Sequence, residues 1–280
     1  MRGMGIVVSQ ARGGSKGTRV AERLGPVRGW IARRIVRERW PISGHERAVR
    51  FARIERLVIW FLVGLLAAHV LDEPAWRWAR LRDEAWLEDR DWYQVLRQMG
   101  YLPVWIVLGV AYGLQDLWRR RRGGRDCGPR SVMLILSPLI AGVIAEVLKR
   151  TIGRERPPEF PVMTEADPLP EMPDLGYVFK PLLGGWSDDH NMGVPSSHAA
   201  VAFGGLVMLG LMHRGARAIF WGLALGCGAS RVIAGAHWVS DVYVAAVIGI
   251  ASAWAIWARM GRRWSDEASD RWASRGGGIG

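Results

Sequence analysis

Residues 57–71 read LVIWFLVGLLAAHVL, fifteen positions without a formal charge, and they follow an arm in which residues 1–56 hold 14 Lys or Arg against 4 Glu. A chain crossing hydrocarbon must satisfy its own backbone and turn apolar side chains outward, so a charge-free run bounded by arginines reads as a membrane helix. Five more such runs follow, at 98–115, 131–145, 199–212, 218–230 and 242–258. Averages conceal this segregation: a mean hydropathy of +0.05 coexists with 50% hydrophobic residues and a net charge of +12, because apolar runs and arginine blocks alternate.

The expected fold class is all-α, a polytopic membrane protein with six transmembrane helices in a bundle, an amphipathic outer segment and a long external loop. Residues 1–56 form a basic cytoplasmic arm, 57–258 the membrane domain with its motifs in 130–258, and 259–280 a cytoplasmic tail. The first run is retained as an anchor, since the apolar residues from Gly5 to Val8 are too few for a signal-peptide core. Several runs are shorter than the roughly 20 residues a crossing needs, so their helices continue into polar flanks. Between residues 76 and 99, Trp78, Leu81, Ala85, Trp92 and Val95 recur at helical spacing, which predicts an amphipathic helix on the outer leaflet. Trp60, Trp105, Trp118, Trp221, Trp238 and Trp257 stand near run ends, as an interfacial belt requires.

Charge sets the orientation. Arg119 to Arg122, Arg125 and Arg130 lie in one loop, Arg214 and Arg217 in another, and Arg259, Arg262 and Arg263 after the last run; with the arm they all fall on one side, the cytoplasmic one. The loops at 72–97 and 146–198 face the periplasm or cell exterior, which predicts a cytoplasmic (plasma) membrane protein with both termini inside. Arginines that flank apolar runs are accounted for by anchoring, so nucleic acid is not an expected partner. Within the arm, Trp30, Ile31, Ile35 and Trp40 alternate with arginines, readable as a basic helix on anionic lipid or as a solvated arm. Cys127 and Cys227 supply neither a disulfide framework nor a zinc cluster nor a redox pair. No signal bears on oligomeric state.

Three short motifs carry chemistry. Lys149 is followed after six residues by Arg156 and Pro157; Lys16 and Lys180 are the other two lysines of the chain. An ammonium is a compact point charge and a guanidinium a planar fork, and both suit phosphate oxygens. Next, Pro195, Ser196, Ser197 and His198 precede the run at 199–212, placing hydroxyls and N–H donors at a helix start, a ready anion site. Third come Ser230 and Arg231, His237 and Asp241. If 237–241 is helical, the i to i+4 spacing lets Asp241 accept the Nδ1–H of His237 and leave Nε2 as nucleophile or base. By the orientation read from loop charge alone, all three lie at the outer ends of their runs. Glu146, three residues before Lys149, reads as an ion pair that positions it. Asp188 and His190 lack the further ligands a metal site needs.

Taken together these motifs resemble the type 2 phosphatidic acid phosphatase and vanadium haloperoxidase superfamily, whose pattern is Lys-x6-Arg-Pro, Pro-Ser-Gly-His and Ser-Arg-x5-His-x3-Asp. The one departure is Ser197 in place of glycine. The resemblance covers roughly residues 130–258. It implies that His237 attacks phosphorus, that Asp241 orients it, and that His198 protonates the leaving oxygen. Lys149, Arg156, Ser196, Ser197 and Arg231 would bind phosphate, with no metal and no cofactor. The implied function is an integral-membrane lipid phosphatase acting on a phosphate monoester or diphosphate. A lipid phosphotransferase on the same site, and a scaffold protein with a vestigial site, are the competing readings. The 31 residues between His198 and Ser230 span about 46 Å of helix against about 60 Å for two crossings, which places the site below the outer surface.

Overall fold

The computed structural model describes residues 44–79, 87, 89–123, 129–158, 176–180 and 191–261, with side chains from residue 52 onward. Among them regular structure is helical, and extended pairing is confined to two isolated bridges, Arg154 with Phe179 and Glu155 with Met192. Most of the arm, most of the tail and most of the loop at 157–195, with Asp188 and His190, lie outside the described residues. Packing divides the chain between Ile59 and Trp60. The division falls inside the first helix, α1 (Gly44–Val70). In the first unit, Ile54, Leu57, Val58 and Ile59 are exposed, and Arg56 Nε donates to the Ala52 carbonyl at 3.2 Å.

The second unit continues through α2 (Asp72–Ala79), α3 (Asp91–Gln98), α4 (Leu102–Arg121), α5 (Arg130–Ile152), α6 (Ser197–Met212), α7 (Arg217–Ile233) and α8 (Val239–Ile256). Its centre is α6, where every residue from Ala199 to Met212 is buried, and it packs against α5, α7 and α8. A helix apolar on all sides has no solvent face to offer, so burial among neighbours follows from its composition. Small residues let the backbones approach closely. A Cβ on Gly249 of α8 would stand 2.6 Å from the Phe203 Cβ and 2.7 Å from the Ala200 carbonyl. Ser137 of α5 donates to the Gly204 carbonyl at 2.7 Å, one residue before Pro138, whose ring removes a backbone donor within α5.

Among the described residues, three helices are long and apolar enough to cross a membrane, Ala52–Ala79, Arg130–Ile152 and Val239–Gly261; α3 and α4, bent by 70° at their junction, make a fourth if taken together. With large apolar residues exposed along α1, α4 and α5, these helices mark a membrane-embedded protein. Six full crossings are not reached by length: α6 has 16 residues and α7 has 17, about 24 and 26 Å of helix. The helix expected over 76–99 is interrupted at Asp89 and Arg90, where the backbone turns and extends before α3, with Leu81 and Ala85 outside the described residues. Trp76 and Tyr93 turn inward, while Trp78, Trp92 and Val95 are exposed. The tryptophan belt also needs correction. Trp105 is a core residue, 1% exposed, donating to the Met99 carbonyl at 2.9 Å, and Trp238 is buried before α8. Proximity to a run end does not separate an interfacial indole from one that closes a helix junction.

At the arginine-rich end, Arg130 at the start of α5 pairs with buried Asp116 of α4, and Tyr112 shares a 2.8 Å hydrogen bond with His213 at the end of α6. These contacts fasten three helix ends together. Gly249→Val is expected to force α8 from α6 and cost about 1–3 kcal/mol, read as a lower Tm in detergent.

Candidate active site

The opposite helix ends gather the three motifs, each for a local reason. Lys149 occupies the last turn of α5, which stops at Gly153 with φ 64°, a left-handed cap whose N–H bonds the Lys149 carbonyl at 2.9 Å. The chain then runs extended: Arg156 N–H donates to the Asn191 carbonyl at 2.8 Å and Gly193 N–H to the Arg154 carbonyl at 2.7 Å. This pairing ties the Lys149 motif to the segment entering α6. Gly193 suits the crossing because a Cβ there would lie 2.9 Å from the Asp241 carboxylate and 3.0 Å from the Glu155 carbonyl. Ser196 caps α6, accepting from the Ala199 N–H at 3.5 Å, and its own N–H reaches the Asp241 carbonyl at 3.4 Å.

His237 precedes α8 and is 3% exposed. Its Nδ1 donates to the Gly193 carbonyl at 3.0 Å, with Asp241 Oδ2 at 3.6 Å. The helical i to i+4 contact expected between them is therefore replaced: α8 begins at Val239, and the carbonyl takes the hydrogen bond while the carboxylate contributes charge. Asp241 instead accepts the Trp238 N–H at 2.9 Å and pairs with Arg154. Either way Nδ1 is occupied and Nε2 is left for chemistry. Burial pushes the His237 imidazole below its ordinary value, opposed by Asp241 and reinforced by Arg231 and Arg156.

Lys149, Arg231 and His237 all act electrostatically on His198, so the motifs converge on one volume. Arg97 of α3 acts on both His198 and Arg231, a cation outside the three motifs. The ring of Tyr101 meets His198 edge to face at 4.8 Å. His198 Nε2 and Arg231 Nε are buried without a hydrogen-bond partner among the described residues. Buried polar atoms rarely stay unpaired, so two at one site mark where a polar ligand completes the set. Lys149 donates to Glu146 Oε1 at 3.2 Å, and Ser197 Oγ donates to the same oxygen. A cavity of about 500 Å³ is lined by Tyr101, Leu102, Leu139, Val143, Val147 and Val201 together with Glu146, Arg150, Ser197 and His198.

Sequence reasoning missed the support beneath Asp241. Asp72, buried at the start of α2, accepts Ser240 N–H at 2.8 Å, Ser240 Oγ at 2.6 Å and Tyr177 Oη at 3.1 Å. Arg154 bonds Ser240 Oγ at 2.8 Å, pairs with Asp241, stands 3.9 Å from Asp72 and lies over the Tyr177 ring at 5.0 Å. Desolvation first, and then Asp72, push the Tyr177 phenol up to about 12, so it remains a donor. Arg154 sits inside the six-residue spacer of the first motif, where a second arginine two positions before Arg156 was available as a signal. Asp72 carried none beyond being an acid directly after an apolar run.

Residues 130–265 match the PAP2 superfamily, and this region of the chain belongs to it. No curated protein and no solved structure matches the chain. Asp72→Ala is expected to leave the Ser240 N–H and Arg154 under-satisfied in a buried setting and to cost about 3–5 kcal/mol, measured as loss of thermal stability in detergent.

Proposed function

We propose, on the premise that PAP2 superfamily members act on phosphate esters, that this protein is an integral-membrane lipid phosphatase working through a phosphohistidine. The observation that carries the reading is the pair of buried, unpartnered nitrogens, His198 Nε2 and Arg231 Nε, beside a buried His237 whose Nδ1 is already engaged. Phosphoryl transfer asks for positioning and charge neutralisation more than for covalent help from the protein. Lys149, Arg156 and Arg231 supply positive charge, and the start of α6 supplies N–H groups. His237 Nε2 attacks phosphorus; the bond to the leaving oxygen breaks as His198 gives that oxygen a proton. Water, deprotonated by His198, then displaces phosphate from His237, and inorganic phosphate leaves. Ser196 closes the cradle from the helix start.

A lipid substrate is supported by the apolar cavity that reaches His198 and by the membrane helices around it. A phosphate monoester or diphosphate of the phosphatidic acid, phosphatidylglycerol phosphate or isoprenyl class fits a cationic end joined to an apolar groove. Arginine at the other helix ends supports a site facing the periplasm or cell exterior of a cytoplasmic membrane.

Phosphate release by the detergent-purified protein from a panel of these lipids, with EDTA present, is the direct test. Release by the parent and none by His237→Ala is expected; release undiminished in the variant overturns the nucleophile, and none from any lipid by folded protein overturns the hydrolase. The pH profile gives a second check. The attacking imidazole must be neutral, and a lowered folded-state value keeps it neutral to lower pH, so the acidic limb of kcat is expected below pH about 6.5.

A further inference from the structure

We propose that the Ser197 hydroxyl holds the Glu146 carboxylate and, through it, the ammonium of Lys149, which makes Ser197 and Glu146 positioning residues for the phosphate-binding lysine. The inference rests on the reading of this site as a phosphate-ester site. It concerns the position where the chain departs from the glycine of the motif.

One oxygen carries the argument. Glu146 Oε1 accepts from Ser197 Oγ and from Lys149 Nζ, the latter at 3.2 Å. Lys149 is 7% exposed, and its ammonium, unlike a guanidinium, has no rigid fork to fix its aim. Its direction is therefore set by the acceptor it meets. Glu146 is itself a flexible side chain on the same helix and needs a fixed point from elsewhere. Ser197 provides one from α6, the residue directly before His198.

The relay thus spans two helices and joins the cation of the first motif to the helix that carries the proposed acid. Hydrogen bonds to a carboxylate are about twice as strong as neutral ones, so Glu146 engages the Ser197 hydroxyl firmly. Glycine at this position has no hydroxyl to offer, and a motif with glycine must hold its lysine otherwise. Ser197 and Glu146 also line the apolar cavity together with His198, so moving Glu146 changes the wall of that cavity.

Kinetics of S197A, S197G, S197T and E146Q, with the double variant S197A/E146Q, test the relay. S197A and S197G are expected to raise KM for the best lipid phosphate about ten-fold with a smaller change in kcat. S197T, which keeps a hydroxyl, is expected to rescue. In the E146Q background the S197A change is expected to add less than about two-fold, because the acceptor it acts through is gone. Parent-like KM in S197A and S197G, or full additivity in the double variant, overturns the proposal. A second arm needs no turnover: acetylation of Lys149 by an amine reagent, followed by mass spectrometry with Lys180 as internal reference. S197A and E146Q are expected to speed Lys149 modification several-fold, and an unchanged ratio overturns the relay. Failure of the parent to release phosphate from any lipid would bear on the phosphatase reading, while the acetylation ratio still decides the relay.

Discussion

Asp241 is a carboxylate with no exposed surface, and the organisation of the site follows from how that charge is tolerated. An ion removed from water without partners is costly, whereas one that is paired and hydrogen-bonded can be held. Two partners come from different parts of the chain: the Arg154 guanidinium from the segment after α5, and the Trp238 N–H from the start of its own helix. Arg154 in turn stands near a second buried carboxylate, Asp72, which Ser240 and Tyr177 also satisfy. Two anions share one guanidinium and four neutral donors. Losing any member strands the others, so α2, the extended segment at 154–158 and α8 are locked as one unit, and His237 inherits its position from that unit.

The consequence reaches the imidazole through a backbone carbonyl. His237 Nδ1 is fixed by Gly193, and Gly193 is fixed by its N–H to the Arg154 carbonyl. The same arginine residue thus governs both neighbours of the histidine, its side chain holding Asp241 and its main chain holding Gly193. Geometry of this kind fixes the orientation of an imidazole without direct contact between every pair of groups. It also explains how a carboxylate 3.6 Å away can matter electrostatically while the hydrogen bond goes elsewhere.

Much of the site was legible because the chemistry is written in local spacing. Lys149, Arg156, His198, Arg231, His237 and Asp241 are assembled at one end of four helices, and an orientation derived from arginine placement alone puts them on one side. What stayed hidden depends on contacts between distant residues. Asp72 meets Ser240 across 168 positions, and no periodicity encodes such a pair. Trp105 was read as interfacial, yet its indole fills the space beside Gly205 and closes the α3 to α4 bend. The boundary of α8 differed from the helical reading of 237–241 by two residues, enough to reassign a hydrogen bond. Apolar runs located the helices but not their lengths, since a run ends at the first charge and a helix ends at its cap.

Helix length then bears on how a buried cationic site reaches an amphiphile. α6 begins at Ser197 and ends at Met212, about 24 Å, and α7 ends at Ile233, so both stop short of a hydrocarbon core of about 30 Å. On the proposed orientation, with the two helices aligned at their arginine-flanked ends, His198 and Arg231 would lie at a level below the far surface. Positive charge at that depth is expensive unless something anionic shares it, and lipid phosphate is the anion that a bilayer offers nearby. A water-soluble phosphate ester would have to leave bulk solvent to meet these groups, whereas a lipid phosphate arrives with its tail already in hydrocarbon. On the proposed reading, the short helices and the apolar cavity beside His198 act together: one would set the depth of the charge, and the other would give a lipid tail a path that need not leave the membrane.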